Sequence, residues 1–275
     1  KMVALVRELD IDGFRFDAPG YNHFPNWSPR TRARASVQEL GALPLFRTLR
    51  RTLHELDPDL MLYTEPNTPL FREAMDLNYN YDETWLPDSI FGRGGDHPGS
   101  RVRNARDLAR WLTERDATLP EGSVTAHHLD SHDTFWWPLP GSKWRREQIG
   151  RDASRALMTA FALSGGPYMM FVGGEDGMQE QVAAVNRIRA SRPELAHGSH
   201  RFGMDGVVSD DLFVVRHQSG DNRSVLLANL SNRPVTEDLR YHLPGAWQDL
   251  LGTRPVADST VELAPYAAAF WVVSR

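Results

Sequence analysis

The sequence predicts an α/β fold built on a parallel sheet, followed from about residue 200 by a small all-β antiparallel module. Three observations carry this. Short apolar runs alternate with amphipathic helical stretches as far as residue 191, the order of successive βα units. Beyond residue 200, β-type runs at 212–216, 224–230 and 261–273 are separated by Asp-Asn, Ser-Asn-Arg-Pro and Pro-Gly, with no helical period among them. Within the α/β part, three of the apolar runs lead to an acid: Asp17, Glu65 and Asp133. Parallel strands share one direction, so acids at their ends gather on one rim.

Met2, Leu5, Val6 and Leu9 fall on one helical face, and a turn at Asp10-Ile11-Asp12 follows. Residues 13–18 read as a strand with Phe14 and Phe16 on one side and Arg15 and Asp17 on the other. Residues 19–34 form a loop rich in Pro, Gly, Asn and aromatics, a setting that commonly carries function. Pro44 suits the first turn of a helix in which Leu45, Leu49, Leu53 and Leu56 recur, and Pro58 marks its end. A strand is expected at 61–65, a helical turn at 71–75 and a strand at 76–81. Leu108, Trp111 and Leu112 indicate a helix, before a strand ending near His128. Then come a helix at 153–163, a continuous apolar strand at 168–172, and a helix at 179–191 with Val182, Val185 and Ile188 on one face.

The chain has 275 residues, 41% hydrophobic and 24% charged, enough for one large α/β domain or for one domain and a small appendage. A net charge of -5 argues against nucleic acid as a partner. The absence of cysteine removes disulfides, zinc–cysteine sites and thiol chemistry. No apolar run reaches membrane-spanning length, and the N-terminus has no signal-peptide pattern. A cytoplasmic location is slightly favoured over a secreted one.

Arg15 and Asp17, two apart on a strand, project together and can pair. The pair is either a structural ion pair or a cation keeping a nucleophilic carboxylate ionised. Glu65, before Pro66-Asn67, is either a loop-capping acid or a general acid whose pKa is raised by apolar surroundings. His127, His128, Asp130, His132 and Asp133 form the densest polar cluster, and both a metal site and sugar binding fit them. Strand alternation would put His128, Asp130 and His132 on one face and His127 and Asp133 on the other. Tyr21, Phe24, Trp27, Trp85, Trp136 and Trp137 follow the strand ends and suit stacking on sugar rings.

These segments resemble glycoside hydrolase family 13, the α-amylase family. Gly13-Phe14-Arg15-Phe16-Asp17-Ala18 is similar to the fourth-strand motif, Thr64-Glu65 to the fifth, and His128-Leu129-Asp130-Ser131-His132-Asp133 to the seventh. Gly166-Pro167-Tyr168-Met169-Met170-Phe171-Val172-Gly173-Gly174-Glu175 is similar to the eighth-strand segment, and Leu263-Ala264-Pro265-Tyr266 through Trp271 to the last strand of the C-terminal β-sandwich. The resemblance implies a partial (β/α)8 TIM barrel, about strands four to eight, over residues 1–197, then a β-sandwich domain over 198–275. It implies a retaining double displacement on α-glucosidic bonds of maltooligosaccharides, starch or related glucosides. Asp17 would be the nucleophile, Glu65 the acid/base and Asp133 the third acid. Arg15, His132, Tyr21, Trp27 and Trp136 would bind substrate.

No cofactor is implied for the chemistry, and a structural calcium ion is left open. The partner is an α-glucan or α-glucoside, with neither nucleic acid nor membrane. Transglycosylation, a non-catalytic binding relative and a metal-dependent hydrolase are the alternatives. Gly20-Tyr21 stands where many members carry Lys-His, and Ser131 where Asn is common, so substrate specificity does not carry over. The chain begins at the position of the third barrel helix. A five-stranded piece of a closed barrel leaves two unpaired edges, so poor folding in isolation is expected.

Overall fold

The computed structural model describes residues 1–17, 42–65, 69–79, 81–91, 101–136, 143–252, 255–256 and 258–273. The chain divides into two compact units, Lys1–Tyr81 with Thr118–Ala126, and Asp82–Ala117 with His127–Arg275.

In the first unit, α1 (Met2–Leu9) ends on Asp10 in the left-handed conformation, whose N–H donates to the Val6 carbonyl at 3.0 Å. It contributes Met2, Val3 and Val6 to the core, while Leu5 and Leu9 are exposed. The inner face is therefore only half-buried and holds Val3 in place of the predicted Leu5 and Leu9. Helix α2 (Ala42–Leu56) has Pro44 in its first turn and stops before Pro58, as expected. Its buried face is Ala42, Leu43, Phe46 and Leu53, and Leu45 is exposed, so the helix is turned from the leucine spacing. Phe46 explains the difference. Its ring meets Phe16 edge-on at 5.0 Å and Phe71 at 5.5 Å, and burying an aromatic outweighs burying Leu45.

Strands β1 (Gly13–Phe16), β2 (Met61–Thr64), β3 (Leu77–Tyr79) and the first half of β4 (Thr125–His128) pair in that order, all parallel. Gly13 stands opposite Met61, and a β-carbon there would lie 2.0 Å from the Met61 carbonyl oxygen. Only glycine lets the two strands approach this closely. Asp76 anchors β2 by accepting the Leu62 N–H at 2.7 Å while pairing with Arg50 of α2.

In the second unit, His127 and His128 of β4 pair in parallel with Tyr168 and Met169 of β5 (Tyr168–Met169). The apolar run at 168–172 was expected to be strand throughout, but it turns after two residues and leaves Val172 85% exposed. Around it stand α3 (Leu86–Ile90), α4 (Ala105–Ala117), α5 (His132–Trp136), α6 (Arg145–Gln148), α7 (Arg151–Ala162), α8 (Gln179–Ser191) and α9 (Glu194–His197). Helix α7 is buried along most of its length.

The same unit carries a six-stranded antiparallel sheet. Its order is β11 (Pro255–Val256), β10 (Trp247–Asp249), β13 (Ala268–Val273), β8 (Asn222–Asn229), β7 (Leu212–Ser219), β6 (Ser199–Phe202). On one face, Phe213, Val215, Leu226, Ala228, Phe270 and Val272 share a core with α4, α7 and α8. On the other, Leu212, Val214, Val225, Leu227 and Trp271 meet the two-stranded sheet of β9 (Val235–Asp238) and β12 (Thr260–Leu263). The fold is thus α/β with a C-terminal all-β antiparallel part, as the sequence predicted.

Candidate active site

The β1–β2 register sets Arg15 opposite Tyr63 and Phe16 opposite Thr64, so the next residues, Asp17 and Glu65, emerge level at the strand ends. The Thr64 hydroxyl donates to the Phe16 carbonyl at 3.1 Å and ties those ends together. Arg15 then bridges the two acids, Nη1 donating to Asp17 Oδ1 and Nη2 to Glu65 Oε1. One carboxylate oxygen of Asp17 and one of Glu65 lie within 4.8 Å of each other. Glu65 is mostly covered, with its side chain 18% exposed, whereas that of Asp17 is 74% exposed. Strand spacing alone predicts one acidic partner for Arg15, namely Asp17. The second depends on strand register across 50 residues, which no local motif displays.

Asp133 is placed differently from expectation. β4 ends at His128, and Asp133 lies in the first turn of α5 rather than at a strand end. The alternation of faces predicted for residues 127–133 therefore does not hold beyond His128. The helix starts because Ser131 and Thr134 cap one another: the Ser131 N–H donates to Thr134 Oγ1 at 2.7 Å, and the Thr134 N–H to Ser131 Oγ at 3.3 Å. His132 and Asp133, at the outer end, approach to 3.4 Å through Nε2 and Oδ1.

The polar cluster thus divides. His127 and His128 turn inward onto Glu83, which is fully buried. Glu83 Oε1 pairs with His127 Nδ1, and Oε2 accepts the His128 N–H at 2.7 Å. Burial alone would raise the Glu83 carboxyl, but His127 and then His128 outweigh it and hold it at about 2. Asp130 is also buried and accepts the Arg145 N–H at 2.8 Å; here burial prevails and its carboxyl is raised. The Arg145 side chain is wholly buried, donating to Asp88 at 2.9 Å, to Gln148 at 2.6 Å and to the Thr84 carbonyl. Sequence reasoning missed Glu83, Asp88 and Arg145. No local pattern marks them: Glu83 lies in Tyr81-Asp82-Glu83-Thr84 and Arg145 in Lys143-Trp144-Arg145-Arg146, and their ion-pair partners are distant in sequence.

Of the aromatics proposed to stack on sugar, Tyr21 and Trp27 lie outside the described residues. Trp136 ends α5, and its side chain also lies outside them.

No curated protein sequence matches the chain. The family profile of the C-terminal immunoglobulin-like domain of D-apionate lactonase matches residues 211–271. Among solved structures, a maltogenic α-amylase from Thermotoga neapolitana aligns over 98% of this chain and 63% of its own, at 16% identity and a TM-score of 0.71. The α-amylase of Geobacillus thermoleovorans, complexed with acarbose, aligns over 99% and 62%, at 13% identity and 0.71. The cyclic α-maltosyl-(1→6)-maltose hydrolase of Arthrobacter globiformis aligns over 98% and 58%, at 18% identity and 0.67. At these identities the likeness establishes a shared fold. The chain has the fold of α-amylase family enzymes, the family its motifs resemble, and spans 58–63% of the length of these three structures.

Proposed function

We propose that the chain is part of a retaining glycoside hydrolase of the α-amylase family, acting on α-glucosidic bonds. The observation that carries this reading is the pair of level strand ends holding Asp17 and Glu65 within 4.8 Å under one arginine. Retaining enzymes hold their two carboxyls about 5–5.5 Å apart; inverting enzymes leave room for a water and need about 6.5–9.5 Å. The alignment with enzymes solved with maltose, maltotriose and acarbose supports an α-glucan as substrate.

In this reading Glu65 protonates the glycosidic oxygen as the bond to the anomeric carbon breaks. Asp17 attacks that carbon, forming a glycosyl ester. Glu65 then takes a proton from water, which displaces Asp17 and regenerates both acids. Arg15 fixes the two carboxylates relative to each other. His132 and Asp133 grip the hydroxyls of the reacting sugar. Residues 1–197 would supply barrel strands four to eight and residues 198–275 the appended β-sandwich domain.

Asp17→Asn is expected to abolish hydrolysis of maltooligosaccharides by the enzyme that contains this chain, assayed by reducing-sugar release. Full turnover in that variant would defeat the assignment. Product analysis on maltotriose separates hydrolysis, which yields glucose and maltose only, from transfer, which also yields longer chains.

A further inference from the structure

Strands β6, β7 and β8 pair antiparallel, with Arg201 directly opposite Arg216 and Gln218 directly opposite Arg223. Side chains alternate along a strand, so Arg201, Arg216, Gln218 and Arg223 share one face. The intervening His200 and His217 occupy the other, their rings 6.4 Å apart. All three arginines are exposed.

Like charges directly opposite on neighbouring strands destabilise a sheet. Elsewhere in this part of the chain arginines have acids beside them: Arg233 pairs with Asp211 at 2.9 Å and Arg240 with Asp238 at 2.6 Å. Among the described residues, Arg201, Arg216 and Arg223 have no such partner. Above them opens a groove of about 430 Å³, which their side chains line together with Gln218, His242 and Trp247. None of its lining residues is acidic. Three unpaired cations in one groove run against a chain whose net charge is -5.

We infer that this groove on β6–β8 binds a phosphate group, either free or as the phosphate ester of a small molecule. A guanidinium presents a planar fork of N–H donors that fits phosphate oxygens two at a time. A phosphate dianion between Arg201 and Arg216 removes their mutual repulsion, and Arg223, diagonal to Arg216, reaches the same point. The volume lies within the range of small-molecule pockets, so an ester leaves its organic part room against Leu243 and Trp247. None of the residues assigned to glycoside cleavage lines this groove.

The test is isothermal titration of the enzyme that contains this chain, at low ionic strength, with inorganic phosphate, glucose 6-phosphate and oligoglutamate. Saturable binding of a phosphate probe is expected, at least tenfold weaker in Arg216→Gln and in Arg201→Gln, and weaker as salt is added. Tighter binding of glucose 6-phosphate identifies an ester site, and tighter binding of inorganic phosphate a site for the free ion. A second readout is thermal melting: phosphate should raise the midpoint of the native enzyme but not that of Arg216→Gln. Absence of saturable binding, equal affinity in the variants, or binding of oligoglutamate alone would overturn the inference.

Discussion

Glu83 shows how much depends on a residue whose neighbours in sequence say little. Its folded-state carboxyl is held at about 2, below the ordinary 4.5, so on acidification the unfolded chain takes up the proton first. The stabilisation from this group is therefore whole above pH 4.5 and is lost as the pH falls toward 2. Glu83→Gln removes the charge facing His127 and is expected to cost about 3 kcal/mol at pH 7. That cost should fade toward pH 2. Urea unfolding of both proteins at the two pH values checks it, and an equal loss at both would contradict the pairing. Arg15 and Asp17 were legible because they sit two apart in the sequence, at the end of one strand. Glu83 was not, because its partners lie 44 and 45 residues away.

The extents of α2, α7 and α8 were read correctly from helical spacing, although α2 turns the Phe46 side rather than Leu45 inward. The errors in strand extent fall at the ends of β4 and β5. Met170, Phe171 and Val172 follow β5 into a turn where Arg146 donates to the Gly173 carbonyl at 2.7 Å and the Gly173 N–H to Glu175 at 2.8 Å. The residues after His128 became a short helix through the Ser131–Thr134 cap, a pairing that strand alternation does not anticipate. β7 carries a further consequence. Its His217 faces Phe270 and the His200 ring, with Arg189 and Glu194 as the other charged groups around it. Burial, then the charge of His200, lowers His217 to about 4 from an ordinary 6.5. The native histidine thus stays neutral where the unfolded one protonates, so stability falls as the pH drops from 6.5 to 4. The loss approaches about 3 kcal/mol. His217→Leu should flatten the slope of stability against pH in that window; an unchanged slope would rule out His217 as its source.

For the molecule as a whole, the composition change near residue 200 correctly marked the start of an antiparallel β part. It did not show that the six-stranded sheet contributes to two cores, one on each face. The signal was present in the continuous apolar runs Leu212-Phe213-Val214-Val215 and Val225-Leu226-Leu227-Ala228, since strands covered on both faces lose polar alternation. Six apolar side chains of this sheet pack with the helices, and uncovering them costs on the order of 10 kcal/mol, comparable to the whole stability of a small domain. Residues 198–275 produced alone are therefore expected to bind a hydrophobic dye and to lack a cooperative melt. A sharp calorimetric transition in that piece would show that the helices are dispensable to it.

Gly13 lies four residues before Asp17, and its missing side chain acts as a gauge for the chemistry proposed downstream. The clearance between β1 and the Met61 carbonyl admits a hydrogen atom and nothing larger. The spacing of the two carboxylates is in this sense a manufacturing tolerance, set where no reacting group resides. Gly13→Ala would leave every acid, arginine and histidine of the site in the sequence while prising β1 from β2. Such a variant should retain binding of maltotriose, read by calorimetry, and lose turnover by about 10²-fold, the usual penalty for misplacing reacting groups by an ångström. Drift at this position is barred by geometry alone, so a residue with no chemistry of its own is as constrained as the acids it serves.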